Sequence, residues 1–342
     1  MTQREVCHVG AVADISAGGS VHTTTFLRAF QLALEQLVPR CDGNLALHLI
    51  GDNADATGAQ RAADCLLRSG VHAVIGHYAS VAATAAAPSY AQAGVPLLLP
   101  AATADGLVDF FPNTLRLCGA DSQLAAHISQ DLRLNFGFDS ILLQDDGGLH
   151  GRSLSAAVYA CLVQATSITI TTSLDRAEAV LFCGSFRESV GFVNALRGRA
   201  CALPVFLTDD AVHPSLPSAL EGGDRVSVYG FGPAQWQVAA HDICSVYRSR
   251  WEAEPGVYFL ETYAAFELVA QWVENGISPE CWLNAAQERT WPTVLGPVAL
   301  AHRQYTDPLY ALWSVSQDRL RPLRRLGQPV PVPPTRAAVH RV

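Results

Sequence analysis

The segment from Val71 to Asp105 constrains the fold of this chain more than any other stretch of the sequence. Two short apolar strands flank an Ala-rich helix in it, and these elements are predicted at 71–75, 81–93 and 95–99. Strands joined by a helix are typical of a parallel sheet, whose carboxyl edge gathers backbone N–H groups and hydroxyls. The start of the helix, with Ser80 as its predicted N-cap, favours an anion or carboxylate, although plain capping explains the same residues equally well.

The same alternation of strands and helices continues through the first two thirds of the chain. Further strands are predicted at 6–13, 45–50, 140–144, 167–172, 179–183, 205–207 and 226–230. Helices are predicted at 23–37, 57–69, 122–136, 153–163 and 189–197, followed by long helices at 235–251 and 256–275. A last pair of strands is predicted at 296–301 and 311–315, and the sequence is Pro-rich and predicted to be irregular from Pro322 onward. This pattern predicts an α/β protein with parallel sheets covered on both faces, and 342 residues suggest two lobes.

The composition excludes several classes of function. A hydrophobic content of 49% indicates an ordered globular protein, and the net charge of −8 argues against a nucleic-acid surface. No stretch of 18 apolar residues predicts a membrane span. The 23 basic residues are all arginine, so phosphate-loop lysines, Schiff-base lysines and lysine general bases are excluded.

Cysteines, histidines and catalytic motifs give no sign of a metal site or an enzyme. The nine cysteines are scattered without a C-x-x-C pair, which is typical of reduced, mostly buried thiols. The eleven histidines show no metal-ligand spacing, and neither a cofactor nor a metal is predicted. The sequence contains no G-x-S-x-G or H-E-x-x-H motif, and Asp145-Asp146 beside His150 is better explained as a D-D-G-G turn than as an acid–base set.

One block of sequence carries a family resemblance. The motifs IGHYAS, AAAPSYAQAGVPLLLPAATA and PNTLRLCGADSQ, within residues 74–123, resemble the type I periplasmic binding proteins of the leucine/isoleucine/valine-binding branch. The resemblance implies two Rossmann-like lobes, joined by three crossovers, that clamp a ligand in the cleft between them. It implies crossovers near 117–120, 230–233 and 300–304. Lobe one would then be 1–118 plus 233–301, lobe two 119–232 plus 302–325, and the Pro-rich irregular tail 326–342.

The resemblance also implies a set of ligand-binding residues. Ser80, Ala101, Ala102 and Thr103 would hold an α-carboxylate, and Asp210, or Asp209 if the register slips by one, would pair with an α-ammonium. The alternative for Ser80 and Thr103 is helix capping alone, and the alternative for Asp210 is to cap a helix that begins near residues 213–214.

Aromatic positions of the family fall on three further residues. His150 and Phe186 take such positions in lobe two, and Tyr258 takes one in lobe one. His150 is alternatively a solvent-facing loop residue, whereas Phe186 and Tyr258 are alternatively core aromatics. Tyr78, together with Ser80, also fits the amide-sensing regulators of the same superfamily.

Two departures from the family bear on function. The region from Gln164 to Cys183 is short, which indicates that lobe two lacks a covering helix and exposes an apolar sheet face as a partner surface. The sequence starts almost directly with a strand and shows no export signal, so a cytoplasmic location is expected; a periplasmic one is expected if the sequence is that of a mature domain.

These observations predict a binding protein rather than an enzyme. The first hypothesis is a solute-binding component of an ABC-type branched-chain amino acid transporter, with a transporter permease as its partner. The second is a cytoplasmic amide or amino-acid sensor that regulates a protein partner. The third is a degenerate homologue or an enzyme subunit that reuses the fold. In the first two, the ligand is a small amino acid or a related carboxylate or amide in the inter-lobe cleft.

Overall fold

The computed structural model describes residues 5–165, 168–316 and 319–327. The strands, numbered in chain order, are β1 (Cys7–Ala13), β2 (Leu45–Gly51), β3 (Ala73–Gly76), β4 (Leu97–Leu99), β5 (Thr114–Arg116), β6 (Ser140–Asp145), β7 (Thr169–Thr171), β8 (Ala179–Cys183), β9 (Val205–Leu207), β10 (Val226–Phe231), β11 (Thr290–Thr293), β12 (Gly296–Ala299), β13 (Tyr310–Ser316) and β14 (Arg319–Arg325). The α-helices are α1 (Thr23–Gln36), α2 (Ala56–Arg68), α3 (Ser80–Ala93), α4 (Gly106–Phe110), α5 (Asp121–Asp131), α6 (Leu149–Ala165), α7 (Phe186–Gly198), α8 (Leu216–Ala219), α9 (His241–Trp251), α10 (Phe259–Glu274) and α11 (Trp282–Glu288).

The first sheet has the order β2-β1-β3-β4-β5, and all its pairings are parallel. Successive residues of β1 point into different cores. Val9 and Ala11 pack in the cluster that includes α1 and α10, whereas Val12 packs in the cluster that includes α2 and α3. A strand buried on both faces must be apolar at nearly every position, which explains the continuous apolar runs of the sequence.

The second sheet has the order β14-β13-β10-β9-β8-β6-β7. Strands β6 to β10 pair in parallel, and β13 and β14 add an antiparallel edge. Helices α5 and α6 cover one face, and α7 and α8 cover the other. The predicted α/β class, with parallel sheets flanked by helices, is confirmed by this arrangement.

The chain passes three times between the two sheets. It leaves the first sheet after β5, builds the second sheet as far as β10, and returns with α9, α10 and α11 to the core of the first sheet. The fully buried rings of Trp272 and Trp282, 5.4 Å apart, anchor this return. Strands β13 and β14 then complete the second sheet. In the ranges given above, no helix is long and apolar enough to cross a bilayer.

Three local predictions were wrong. The N-cap of α3 is Ala79 rather than Ser80, which is the first helical residue. Two 3-10 turns occupy most of the predicted start of the helix at 235–251, and α9 begins only at His241. The segment from Pro322 begins as ordered strand. Because β14 is an edge strand, no further strand pairs with its outer side, and proline can lie there without removing a hydrogen bond of the sheet. Of the tail predicted at 326–342, residues 328–342 lie outside the described ranges, and Leu326 is buried.

The short region before Cys183 also differs from expectation in one respect. A 3-10 turn, Leu174–Arg176, stands between β7 and β8 in place of a helix, as the sequence indicates. The sheet face beneath it is nevertheless covered: Leu142 and Val180 are buried in a cluster against which Leu174 packs. The face that was expected to be exposed is therefore covered by α7 and α8, with the short turn packed beside them.

Candidate functional site

A pocket of about 240 Å³ lies at the carboxyl ends of both sheets. Its lining follows β1, β3 and β4 of the first sheet and β6, β8 and β9 of the second, where open α/β sheets place their ligands. The polar and aromatic side chains that line it are Asp14, Ser20, His22, Thr23, Tyr78, Ser80, Thr103, Asp146, His150, Ser185, Asp210 and Tyr258.

The first-sheet wall presents hydroxyls beside a helix start. Ser80 opens α3, and its Oγ accepts a hydrogen bond from the backbone N of Ala104 at 3.4 Å. Thr103 Oγ1 lies 3.3 Å from His150 Nδ1. Because the first N–H groups of a helix have no partner within it, this end of the pocket favours a negatively charged group.

A buried hydrogen-bond network holds this wall in place. His77 has a φ of 33°, and its Nδ1 lies 2.8 Å from Asp52 Oδ2 while its Nε2 lies 3.1 Å from Tyr90 Oη. His77 and Asp52 are at most 1% exposed. These contacts fix the left-handed turn that leads from β3 into Tyr78 and Ser80, and so position the start of α3.

The second-sheet wall places a histidine against buried carboxylates. His150, in the first turn of α6, has its Nε2 3.3 Å from Asp209 Oδ1 and its Nδ1 3.8 Å from Asp121 Oδ1. Burial acts to lower the pKa of His150, but the charges of Asp209, Asp210 and Asp121 outweigh it and raise that pKa well above its ordinary value. Burial raises the pKa of Asp121, and the charge of His150 opposes this shift.

Asp210 faces the pocket from the second sheet and pairs with a histidine of the first lobe. His22, immediately before α1, has its Nε2 3.4 Å from Asp210 Oδ1. Burial acts to raise the pKa of Asp210, but hydrogen bonding to His22 and the charges of both histidines lower it below its ordinary value. Asp210 is therefore a carboxylate at neutral pH.

Two tyrosines form the aromatic side of the pocket. Tyr258, at a φ of 69° just before α10, donates its hydroxyl to Asp209 Oδ2 at 2.9 Å, and its ring meets that of His22 edge-on at 5.1 Å. Tyr78 forms a hydrogen bond with Thr262 Oγ1, and its ring lies 6.0 Å from that of Tyr258. Burial raises the pKa of both phenols, so neither ionises at neutral pH.

The structure brings together seven of the nine residues singled out in the sequence, namely Tyr78, Ser80, Ala101, Thr103, His150, Asp210 and Tyr258. Ala102 and Phe186 do not line the pocket. Ala102 is fully buried in the core between the first sheet and α3, and the ring of Phe186 packs edge-on against His213 at 5.5 Å. Asp209 is fully buried next to the pocket, so Asp210 is the one of these two predicted ammonium partners that lines it.

Sequence reasoning missed His22, Asp14 and Asp121. Asp14 directly follows β1, and Asp121 is the first residue of α5. Both could have been predicted, because polar residues at strand ends and helix starts commonly face a ligand site in such folds. His22 carries no such signal. The D-D-G-G turn is confirmed: Asp145 and Asp146 accept hydrogen bonds from the backbone N–H groups of Gly147 and Gly148.

Comparison with known proteins agrees with this geometry. Residues 7–172 match the model of a family described as periplasmic binding protein. The Leu/Ile/Val-binding protein BraC3 of Rhizobium johnstonii is 26% identical over 159 residues, which cover 45% of this chain and 43% of that protein's length. The aligned part therefore spans less than half of this curated relative.

Solved structures match over nearly the whole chain. The leucine-binding protein LivK of Thermotoga maritima superposes with a TM-score of 0.85 at 17% identity, over 94% of this chain and 99% of that one. The branched-chain amino acid transporter substrate-binding protein LivJ of Streptococcus pneumoniae, in complex with isoleucine, superposes with a TM-score of 0.79 at 18% identity, over 92% of this chain and 98% of that one. The resemblance seen in the sequence is thus confirmed: the chain has the fold of the type I periplasmic binding proteins, and its residues 7–172 match the periplasmic binding protein family.

Proposed function

We propose that this chain binds a small amino acid, or a related carboxylate or amide, in the pocket between its two sheets. One observation carries the proposal: the two walls of the pocket differ in polarity. Ser80 and Thr103 offer hydroxyls beside a helix start on the first-sheet wall, and Asp210 offers a carboxylate on the second-sheet wall. A zwitterion complements both walls at once.

The proposed physiological role is that of the solute-binding component of an ABC-type branched-chain amino acid transporter. Two similar structures carry the names of a leucine-binding protein and a branched-chain amino acid transporter substrate-binding protein, and both superpose over more than nine tenths of this chain. A transporter permease is then the protein partner. The ligand closes the two lobes around itself and is released when they open.

A ligand screen tests the proposal. We expect a subset of amino acids, amides and simple carboxylates to raise the unfolding temperature, since a ligand at 100 times its Kd stabilises the folded state by about 2.7 kcal/mol. The double variant Ser80→Ala/Thr103→Val removes both hydroxyls and should abolish the shift. Asp210→Asn should abolish it for amino acids and spare compounds that lack an amine.

Matched controls separate binding from general damage. Thr84→Val changes an exposed threonine of α3, and Asp109→Asn removes an exposed carboxylate of α4, so neither should alter the ligand-induced shift. The proposal fails if no compound of these classes shifts the unfolding temperature. It also fails if the shift is the same in the wild-type protein, the double variant and Asp210→Asn.

A second candidate function is a cytoplasmic sensor of the same ligand class that regulates a protein partner. The observation in its favour is that all nine cysteines are unpaired thiols, which is typical of a reducing compartment. Sedimentation velocity with and without the ligand found in the screen distinguishes the two roles. A transport receptor should sediment as a monomer in both conditions, whereas a sensor should change its association state.

A further inference from the structure

Polar atoms without a well-formed hydrogen bond converge beside the pocket. Among the described residues they include His150 Nε2 and Asp209 Oδ1, which form an ion pair at 3.3 Å, and His22 Nε2, which forms one with Asp210 Oδ1 at 3.4 Å. Asp209 is fully buried, so bulk solvent does not reach its carboxylate. Buried polar atoms normally make good hydrogen bonds, and a group of poorly hydrogen-bonded ones in a single place suits a further ligand.

The spacing of these atoms is that of ion pairs, and it also matches the edge of a coordination shell. His150 Nε2 and Asp209 Oδ1 are 3.3 Å apart, and His22 Nε2 and Asp210 Oδ1 are 3.4 Å apart. A tetrahedral zinc ion with bonds of roughly 2.1 Å separates neighbouring ligand atoms by about 3.4 Å. The ligand atoms of His150, Asp209 and Asp210 all lie within 4.8 Å of one another, so one ion reaches all three.

Neighbouring groups orient these side chains in the way that metal ligands require. His150 turns its Nδ1 toward Thr103 Oγ1 at 3.3 Å and Asp121 Oδ1 at 3.8 Å, which leaves Nε2 to face Asp209. Asp209 accepts the Tyr258 hydroxyl on Oδ2 and directs Oδ1 toward His150 Nε2. A histidine held by a carboxylate on its second nitrogen is a recurring arrangement in metal sites.

The acids outnumber the histidines around the site. Three carboxylates, those of Asp121, Asp209 and Asp210, lie around His150, and the described lining of the pocket contains no arginine. The chain has no lysine at all. An imidazole nitrogen with two carboxylate oxygens suits zinc and its late first-row neighbours, whereas magnesium and calcium prefer oxygen ligands alone.

We propose that His150, Asp209 and Asp210 bind one divalent transition-metal ion of the zinc class beside the pocket. His150 and Asp210 line the pocket, so the ion enters from it, and Asp209 completes the set from behind. The proposal does not depend on amino-acid binding. Asp210 is, however, the proposed partner of a ligand ammonium, so zinc and an amino acid should compete for it.

The test uses chelator-treated full-length protein and zinc chloride, with no amino acid present. We expect one zinc ion per chain by isothermal titration, and cobalt(II) in its place should give the intense visible absorption of a tetrahedral site. His150→Gln should weaken zinc binding by tenfold or more and abolish the cobalt spectrum. Asp209→Asn should do the same if its fold, checked by circular dichroism, is intact.

A surface histidine cluster supplies the control. His8 Nδ1 lies 2.8 Å from His48 Nε2, and the ring of His72 stacks on that of His8. His48→Gln should leave zinc binding unchanged. The proposal is overturned if the wild-type protein binds no zinc, or if His48→Gln abolishes binding while His150→Gln does not. Either result leaves the amino-acid screen unaffected, so this proposal and the proposed function fail separately.

Discussion

The carboxyl group of Glu267 predicts that the stability of this protein falls as the pH rises through neutrality. The side chain lies on α10, is largely buried, and accepts a hydrogen bond on Oε2 from the backbone N of Val294 at 2.7 Å. Burial raises its pKa to about 7, and the hydrogen bond and the charge of Arg40 oppose that shift only in part.

The direction of this pH dependence follows from which state, folded or unfolded, binds the proton of Glu267. Below the unfolded-state pKa of about 4.5, both states hold the proton and the carboxyl has no pH-dependent effect. Between that value and about 7, only the folded state holds it, so the free energy of unfolding decreases as the pH rises. A shift from 4.5 to about 7 corresponds to a loss of up to about 3 kcal/mol above pH 7.

Glu267→Gln removes the cost of ionising a buried carboxyl, because the glutamine amide carries no charge at any pH. The amide oxygen can still accept the hydrogen bond from Val294. Urea unfolding should show the variant to be more stable than wild type at pH 8, by up to about 3 kcal/mol, and nearly equal at pH 4.5. Glu288→Gln, at an exposed position near the end of α11, is the matched control. An equal stability difference at both pH values would refute the burial argument.

Three substitutions elsewhere test the framework of the pocket. Gly76→Ala should destabilise the folded protein by several kcal/mol, because the φ of Gly76 is +130° and an added Cβ would overlap a carbonyl of β1. In the control variant Gly191→Ala, on α7, the added Cβ meets open space, so the unfolding midpoint should rise slightly. Arg116→Met should cost about 2–4 kcal/mol in urea unfolding and speed amide exchange in the loop after β4, since the buried guanidinium binds two carbonyls of that loop at 2.8 and 2.7 Å. Arg324→Met should cost about 3–5 kcal/mol, because it removes the cationic partner of the buried Asp131 carboxylate; unchanged stability would contradict the packing of β14.

The sequence predicts the part of the site whose residues lie just after strands of the first sheet. Tyr78, Ser80 and Thr103 each follow a strand of the first sheet within a few residues, so a strand-end argument is enough to place them at one edge. His22 belongs to a loop before α1, and only the tertiary fold brings it to Asp210, 188 positions later in the chain. No spacing rule detects a pair so far apart.

At three positions tertiary packing overrides the local sequence signal. Serine is a common N-cap residue, yet the N-cap of α3 is Ala79, one residue earlier. The Ser80 hydroxyl instead accepts a hydrogen bond from the backbone N of Ala104. Pro322 indicates irregular chain, yet an edge strand accepts it opposite Trp313, next to a register shift. Phe186 follows a strand of the second sheet, as a ligand-facing residue should, but its ring turns toward His213.

The contacts that join the two lobes across the pocket are the contacts of the charged cluster itself. His22 and Tyr258 belong to elements that pack with the first sheet and reach Asp210 and Asp209 of the second, while His150 of α6 reaches back to Thr103. Separating the two sheets along the pocket would break all three contacts. Asp210 would lose His22 and Asp209 would lose the Tyr258 hydroxyl, whereas Asp209 would keep His150, which α6 holds on the same side. The ion pair of His22 with Asp210 and the hydrogen bond from Tyr258 to Asp209 therefore favour the arrangement in which both sheets face the pocket.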